Sequence, residues 1–190
     1  MINCFNLLNK IILLLLLLCS CASYSQIEEG QNFCVETKGA SYFPLHYNSK
    51  KKLRWGSTFY YETNEGTKEF NGKSYIEFKQ EWEDKNVALL YLREENGVIY
   101  QYEKDLNSET IRYDPAFEKG HTWKGANGKS EYKIISFEGK LRTPYCKEYT
   151  NLLVIAAKVD YGSFNFFYMK GHGYIGAAKE GKLISCETPE

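Results

Sequence analysis

The chain has 190 residues, with 24 basic and 24 acidic side chains and therefore no formal net charge. Its length allows one or two domains, and its hydrophobic and aromatic contents of 43% and 16% are too high for a disordered protein. The balanced charge argues against a dedicated nucleic-acid-binding protein, because such proteins carry a basic excess.

The first 25 residues have the character of an export signal. Residues 11–18 are an unbroken run of Ile and Leu, which is too short for a membrane-spanning helix of about 20 apolar residues. The run has the length of a signal-peptide core, roughly 7–15 residues. The sequence therefore predicts an exported protein.

Two cleavage sites are compatible with this segment. Residues 18–21 (Leu-Cys-Ser-Cys) resemble a bacterial lipobox, in which residues 1–20 would be the signal and Cys21 the lipidated first residue. Alternatively, small residues before Gln26 permit ordinary cleavage there, with a signal of residues 1–25. We favour the lipobox, which predicts a protein anchored to a membrane in the periplasm or at the outer membrane. The alternative predicts a secreted protein.

The composition of the remaining chain favours a β-sheet. Residues 21–32 are predicted to form a tether, and residues 33–187 a single all-β domain. After removal of residues 1–25, the chain keeps 28 aromatic residues and only ten Leu. Aromatic side chains pack well on pleated surfaces and lose rotamer freedom in helices.

Short turn signals divide the domain at regular intervals, which predicts hairpins because Asn and Gly tolerate positive φ. Between the turns the residues alternate between apolar and polar, as in residues 74–83, and this period of two is typical of strands. Residues 87–94 could form two helical turns, but the turn signals on both sides favour a strand. The turn signals are Asn64-Glu65-Gly66, Asn71-Gly72-Lys73, Glu95-Asn96-Gly97, Asn127-Gly128-Lys129, Glu138-Gly139-Lys140 and Glu180-Gly181-Lys182.

These patterns predict an antiparallel meander of about 10–12 strands spaced 8–12 residues apart. The loops are too short for the crossovers that parallel strands need. A curved sheet, an open barrel and a sandwich all remain compatible with the pattern.

Three cysteines belong to the predicted domain, and disulfides persist in an exported protein. An odd number allows at most one bond among Cys34, Cys146 and Cys186. We predict Cys34–Cys186, because these residues lie near the two ends of the domain, and a buried free thiol at Cys146. The alternative is Cys34–Cys146.

No pattern in the sequence predicts a catalytic, cofactor or metal site. Residues 171–176 match GxGxxG, but only 14 residues follow, which leaves no room for a dinucleotide-binding βαβ unit. His46, His121 and His172 are scattered, no GxSxG occurs, and no CxxC or HxxxH spacing indicates a metal. An enzyme is therefore disfavoured. A hydrolase remains a distant alternative that would need His121 or His172 beside a carboxylate in a cleft.

The aromatic residues are the candidates for a binding function. Either they fill a core or they line an apolar cavity in a curved sheet, and core filling is the ordinary role. The candidate ligand-facing aromatics are Trp55, Phe59, Tyr100, Trp123 and Phe166.

Several short motifs carry a resemblance to a known group of proteins. The chain resembles uncharacterised exported proteins and lipoproteins of Bacteroidetes-type bacteria, with a YFPL start and a YxxKGxGxxG finish. The resemblance implies no activity, so no catalytic residue is transferred, and His172 stands where the group has an apolar residue. The motifs are residues 41–45, 56–61, 91–94, 97–100, 117–123 and 168–175.

Together these features predict a non-enzymatic lipoprotein of the cell envelope that binds a ligand or a partner and needs no cofactor. The expected contacts are the membrane, through the lipid on Cys21, and an apolar ligand, with no nucleic acid. The alternative is a soluble secreted carrier of an apolar ligand.

Overall fold

The computed structural model describes residues 34–46 and 50–188. The predicted signal, the lipid site at Cys21 and the tether lie outside these residues. Within the described part of the chain, no helix is long and apolar enough to cross a membrane.

The described residues form twelve strands and one short 3₁₀ helix at Lys104–Leu106. The strands are β1 (Lys51–Trp55), β2 (Thr58–Phe70), β3 (Lys73–Trp82), β4 (Val87–Glu95), β5 (Val98–Glu103), β6 (Ser108–Tyr113), β7 (Thr122–Lys124), β8 (Glu131–Leu141), β9 (Tyr149–Val159), β10 (Gly162–Met169), β11 (Gly173–Lys179) and β12 (Lys182–Thr188).

All twelve strands belong to one antiparallel sheet in the order β6-β5-β4-β3-β2-β1-β12-β11-β10-β9-β8-β7. The predicted all-β meander is therefore confirmed, and the predicted strand at residues 87–94 is β4. The sheet is not closed into a barrel, and β6 and β7 are its two edges. Every connection joins strands that are neighbours in the sheet except the one from β6 to β7, which links the two edges. The first and last strands, β1 and β12, pair at the centre.

Four of the six predicted turns lie between strands. Asn71 and Gly72 both have positive φ between β2 and β3, which explains the choice of these residues. Two predicted turns are wrong: residues 64–66 lie within β2 and residues 138–140 within β8, at register shifts. At both places the polar and Gly residues mark a β-bulge rather than a reversal of the chain.

The inner face of the curved sheet packs around an N-terminal segment. We call residues 41–45 the plug, because Tyr42, Phe43 and Leu45 are buried in the core between the two halves of the sheet. The ring of Phe43 lies 5.2 Å from that of Tyr113 and 4.5 Å from that of Tyr168. A backbone hydrogen bond of 2.9 Å from Gly171 to Ser41 fixes the plug beside the β10–β11 turn.

The outer face of β9–β11 carries a second core that is closed by residues 142–148. Because successive side chains of a strand point to opposite faces, Leu152 and Val154 belong to this outer core while Leu153 and Ile155 belong to the inner one. Cys146 enters the outer core from the loop between β8 and β9.

The disulfide joins Cys34 to Cys146, with a Cα–Cα distance of 5.7 Å. The predicted Cys34–Cys186 bond is wrong, and Cys186 is the buried free cysteine of the described residues. Cys186 lies in β12 at the middle of the sheet, paired with Arg54 and Gly176 on its two neighbours. Distance along the chain misled the prediction, because the β8–β9 loop folds back over the outer face to reach Cys34.

Candidate functional site

A cavity of about 820 Å³ lies between the inner faces of the two halves of the sheet. Phe43, Pro44 and Leu45 of the plug form part of its wall. All three tryptophans of the chain, Trp55, Trp82 and Trp123, line it. The concave face is therefore only partly filled by its own side chains.

Aromatic rings form most of one wall of the cavity. Trp55 lies 5.9 Å from Phe164 and 6.4 Å from Phe166, measured between ring centroids. Trp123 stacks on Tyr132 at 5.4 Å. Rings at these separations make favourable contacts with one another and present an apolar surface to the cavity.

Three of the five predicted ligand-facing aromatics, Trp55, Trp123 and Phe166, line the cavity. Phe59 does not, because the Gly56-Ser57 turn pairs Phe59 with Arg54 and so places it on the outer face. There the Nζ of Lys52 lies 4.7 Å from its ring.

Tyr100 also lies outside the cavity lining. The guanidinium of Arg93 lies over its ring at 4.1 Å, on the face opposite to Gln101. Its neighbours Gln101 and Glu103 are the β5 residues that line the cavity. Both are polar, so the sequence pattern gave no signal that they face inward.

Arg112 is the most prominent polar group of the cavity wall, and the sequence reasoning missed it. Its Nη1 donates a hydrogen bond of 2.7 Å to Oε1 of Gln101, and its Nη2 donates one of 3.2 Å to the hydroxyl of Tyr168. The Nε2 of Gln101 in turn donates to Glu103. No pattern in the sequence distinguishes Arg112 from an exposed arginine of an edge strand.

A second polar group surrounds the start of β1. The Nζ of Lys51 donates to the carbonyl oxygen of His172, and Lys51 lies opposite Glu62 on β2. Glu62 accepts a hydrogen bond of 2.8 Å from Gln80. Burial raises the pKa of the Glu187 carboxyl, while Lys51 opposes this shift.

Exposed residues at the ends of strands also border the cavity, and we call this border the rim. Leu106, which follows β5, and Tyr161, between β9 and β10, are 49% and 70% exposed and line the cavity. Glu103 and Asp105, close to Leu106 in the chain, line it too. The rim therefore carries both apolar and acidic side chains.

A second depression, of about 950 Å³, involves the ends of β7–β11. Its lining includes Lys133, Lys158 and Lys179 together with Glu131 and Glu180. These charges make it a less suitable site for an apolar ligand than the interior cavity.

The three histidines do not meet a carboxylate in any ion pair among residues 34–46 and 50–188. His121 is exposed and stacks on Phe117 at 3.8 Å. His172 is partly buried, and burial together with Lys51 lowers its pKa. In the part of the chain that the structure covers, no group of three or more His, Cys, Asp or Glu is arranged to hold a metal ion.

Comparison with known proteins adds little. No protein-family model and no curated protein matches the chain. A solved structure of a candidate lipoprotein from Parabacteroides distasonis, a member of the Bacteroidetes, is similar with a TM-score of 0.42 and 10% identity, over 78% of this chain and 96% of that chain. A match this weak carries no argument about this chain.

Proposed function

We propose that this protein is a lipid-anchored binding protein of the cell envelope that holds an apolar molecule in the cavity of its curved sheet. The observation that carries the proposal is the cavity of about 820 Å³ with all three tryptophans on its wall. We assign no catalytic reaction to the cavity.

The size of the cavity supports binding over simple core packing. Protein interiors are close-packed, with few voids larger than a water molecule. Ligand pockets, by contrast, range over about 300–1,000 Å³ and have mostly apolar walls with a few polar groups. The cavity has this size and a mostly apolar wall, and Leu106 and Tyr161 of its rim are exposed.

The anchor is the part of the proposal that rests on sequence. The lipobox at residues 18–21 would attach acyl chains to Cys21, and burial of each CH₂ group contributes about 0.8 kcal/mol of membrane affinity. Residues 21–32 would then connect the membrane surface to the folded domain.

Ligand binding is tested with the full chain produced in its exported form and the dye N-phenyl-1-naphthylamine, whose emission rises in an apolar site. We expect binding by the natural protein and weaker binding in Leu90→Trp, since Leu90 lines the cavity and the larger side chain would project into it and obstruct the ligand. Leu183→Trp is the matched control, because Leu183 is exposed on β12. Equal dye binding by both variants, or none by the natural protein, contradicts the proposal.

Native mass spectrometry of the same protein checks for a bound molecule from the cell. We expect an additional mass that organic extraction removes.

Anchoring is tested by labelling cells with an alkyne analogue of palmitate. We expect label on the natural protein and on Cys19→Ser, and none on Cys21→Ala. Unlabelled natural protein that begins at Gln26 would instead support the secreted carrier.

A further inference from the structure

Arg112 owes its position in the cavity to an irregularity at the edge of the sheet. Tyr100 pairs with Ile111 and Ile99 with Tyr113, so Arg112 is the extra residue of a bulge between β5 and β6. Bulges re-aim a side chain and are common near functional sites. This bulge directs the guanidinium to Tyr168 on the opposite half of the sheet.

The guanidinium has unused hydrogen-bonding capacity. Arginine has five N–H donors, and two of them meet Gln101 and Tyr168. Neither partner is charged, and Arg112 takes part in no ion pair within residues 34–46 and 50–188. Three donors, on a guanidinium without a direct ionic partner among these residues, therefore remain for a molecule in the cavity.

Two carboxylates of the cavity wall accept hydrogen bonds from amides. Glu103, whose charge acts on Arg112, accepts from Gln101, which stands between it and Arg112, and Glu62 accepts from Gln80. The Gln101 amide thus holds Arg112 through its oxygen and Glu103 through its nitrogen. This arrangement orients the guanidinium without neutralising it by direct contact.

The guanidinium lies in a cavity whose other walls are largely apolar. Tyr168, which accepts from Arg112, packs on Phe43 of the plug, and Trp55, Trp123 and Phe166 line the same cavity. A molecule that matches one cationic group among aromatic walls has an anionic head and an apolar chain.

We propose that Arg112 binds the carboxylate of a long-chain fatty acid, with the chain extending past Trp55, Trp123 and Phe166. This inference rests on the proposed function and names its ligand class. The planar fork of arginine fits both oxygens of a carboxylate, and such charge-assisted hydrogen bonds are stronger where water is excluded.

The test compares two ligands of equal chain length, dodecanoate and the uncharged dodecanol, as competitors of the bound dye. We expect dodecanoate to displace the dye at about a tenfold lower concentration or less, which corresponds to one charged hydrogen bond. Arg112→Gln should remove this preference while dodecanol still competes. Arg142→Gln is the matched control, because Arg142 is 80% exposed outside the cavity and should retain the preference.

A second, smaller change tests the same contact in case Arg112→Gln does not fold. Tyr168→Phe removes only the hydroxyl that accepts from Nη2, and we expect it to reduce the preference for dodecanoate by a smaller factor. If the dye and dodecanol bind but dodecanoate has no advantage, or if Arg112→Gln retains the advantage, the carboxylate site is overturned and the cavity function stands. If neither competitor nor dye binds, the cavity function itself fails and the carboxylate site fails with it.

Discussion

The two faces of the sheet differ in how completely they are packed. On the outer face of β9–β11, Leu152, Val154 and Ile175 are buried beneath residues 142–148 in a closed core. On the inner face, the neighbouring side chains leave a cavity of about 820 Å³. Both faces are apolar, so hydrophobicity alone does not decide which one closes.

Glycines allow the outer face to close. A Cβ at Gly139 would lie 2.2 Å from Cγ2 of Val154, and one at Gly176 would lie 2.6 Å from the backbone oxygen of Ser185 and 3.0 Å from Cδ2 of Leu141. Without these atoms, β8 approaches the strands beneath it. On the inner face, tryptophan and tyrosine rings and the plug line a space that they leave partly empty.

Arg93 on β4 and Arg112 on β6, the two strands that flank β5, show the same contrast. Arg93, on the outer face, donates to both oxygens of Glu109 at 2.6 and 2.7 Å and to Glu95 at 2.9 Å. Arg112, on the inner face, donates to a neutral amide and a phenol and has no ion pair within residues 34–46 and 50–188. The outer arginine is thus paired directly with carboxylates, whereas the inner one borders a cavity.

The largest expected effect comes from the disulfide, which ties the closed outer core to the segment that ends in the plug. It joins residues separated by 112 positions, and the chain-entropy description assigns about 4–5 kcal/mol to a loop of that length. Replacing both Cys34 and Cys146 by Ser should lower the free energy of unfolding in urea by about 4 kcal/mol. It should also weaken dye binding, because the plug would be less well fixed.

Cys186→Ser is the control for that measurement, since its buried thiol takes no part in the bond. A loss of the same size in this control would trace the effect to thiol burial rather than to the cross-link. Unchanged dye binding in the double variant would show that the plug does not depend on the disulfide.

A pair of identical truncations compares the two faces directly. Leu152→Ala removes a fully buried side chain from the outer core and should lower the free energy of unfolding by about 3 kcal/mol, because it creates a new void. Leu90 borders the existing cavity. Leu90→Ala should therefore lower the free energy of unfolding by about 1 kcal/mol or less, since it only enlarges that space. Equal losses in urea unfolding would mean that the cavity wall is packed as tightly as the outer core.

The paired charge of the outer face should make stability depend on pH. The hydrogen bonds from Arg93 lower the pKa of Glu109 from 4.5 to about 2. A carboxyl whose pKa is lower in the folded state stabilises that state at pH values above its unfolded pKa. This contribution is lost as the pH falls from about 4.5 toward about 2. We expect about 2 kcal/mol less stability at the acid end of this range, part of the full linkage being lost to solvent.

Two variants test whether Glu109 causes this pH dependence of stability. Glu109→Gln should flatten the acid limb of urea unfolding, whereas Glu95→Gln should leave most of it, because Glu95 is 57% exposed. A steep acid limb that survives in Glu109→Gln would place the effect in other carboxyls.

The sequence predicted the strands better than the faces. Alternation and Asn-Gly turns located β3, β4 and β5, because these signals are local. The direction of each face is not local: Trp55 and Phe59 have the same parity along the chain, but the Gly56-Ser57 turn places them on opposite faces. In β5 the aromatic Tyr100 faces outward and the polar Gln101 lines the cavity. Polarity therefore did not identify the outward residue.

Local sequence patterns could not predict the long-range features of the site. The Cys34–Cys146 pairing depends on how the β8–β9 loop folds over the outer face. Arg112 enters the cavity through a bulge and meets Tyr168 at a separation of 56 residues. Neither turn signals nor periodicity carry that information.

The smallest effect is expected at Arg112 in the protein without ligand, and it sharpens the contrast with Arg93. An arginine without an ionic partner carries a desolvation cost and gains little from its neutral contacts, so Arg112→Gln should change the free energy of unfolding by about 0.5 kcal/mol or less. A ligand at a hundred times its dissociation constant stabilises a protein by about 2.7 kcal/mol. Saturating dodecanoate should therefore stabilise the natural protein and hardly affect the variant. A large loss in the variant without ligand would mean that Arg112, like Arg93, serves the fold.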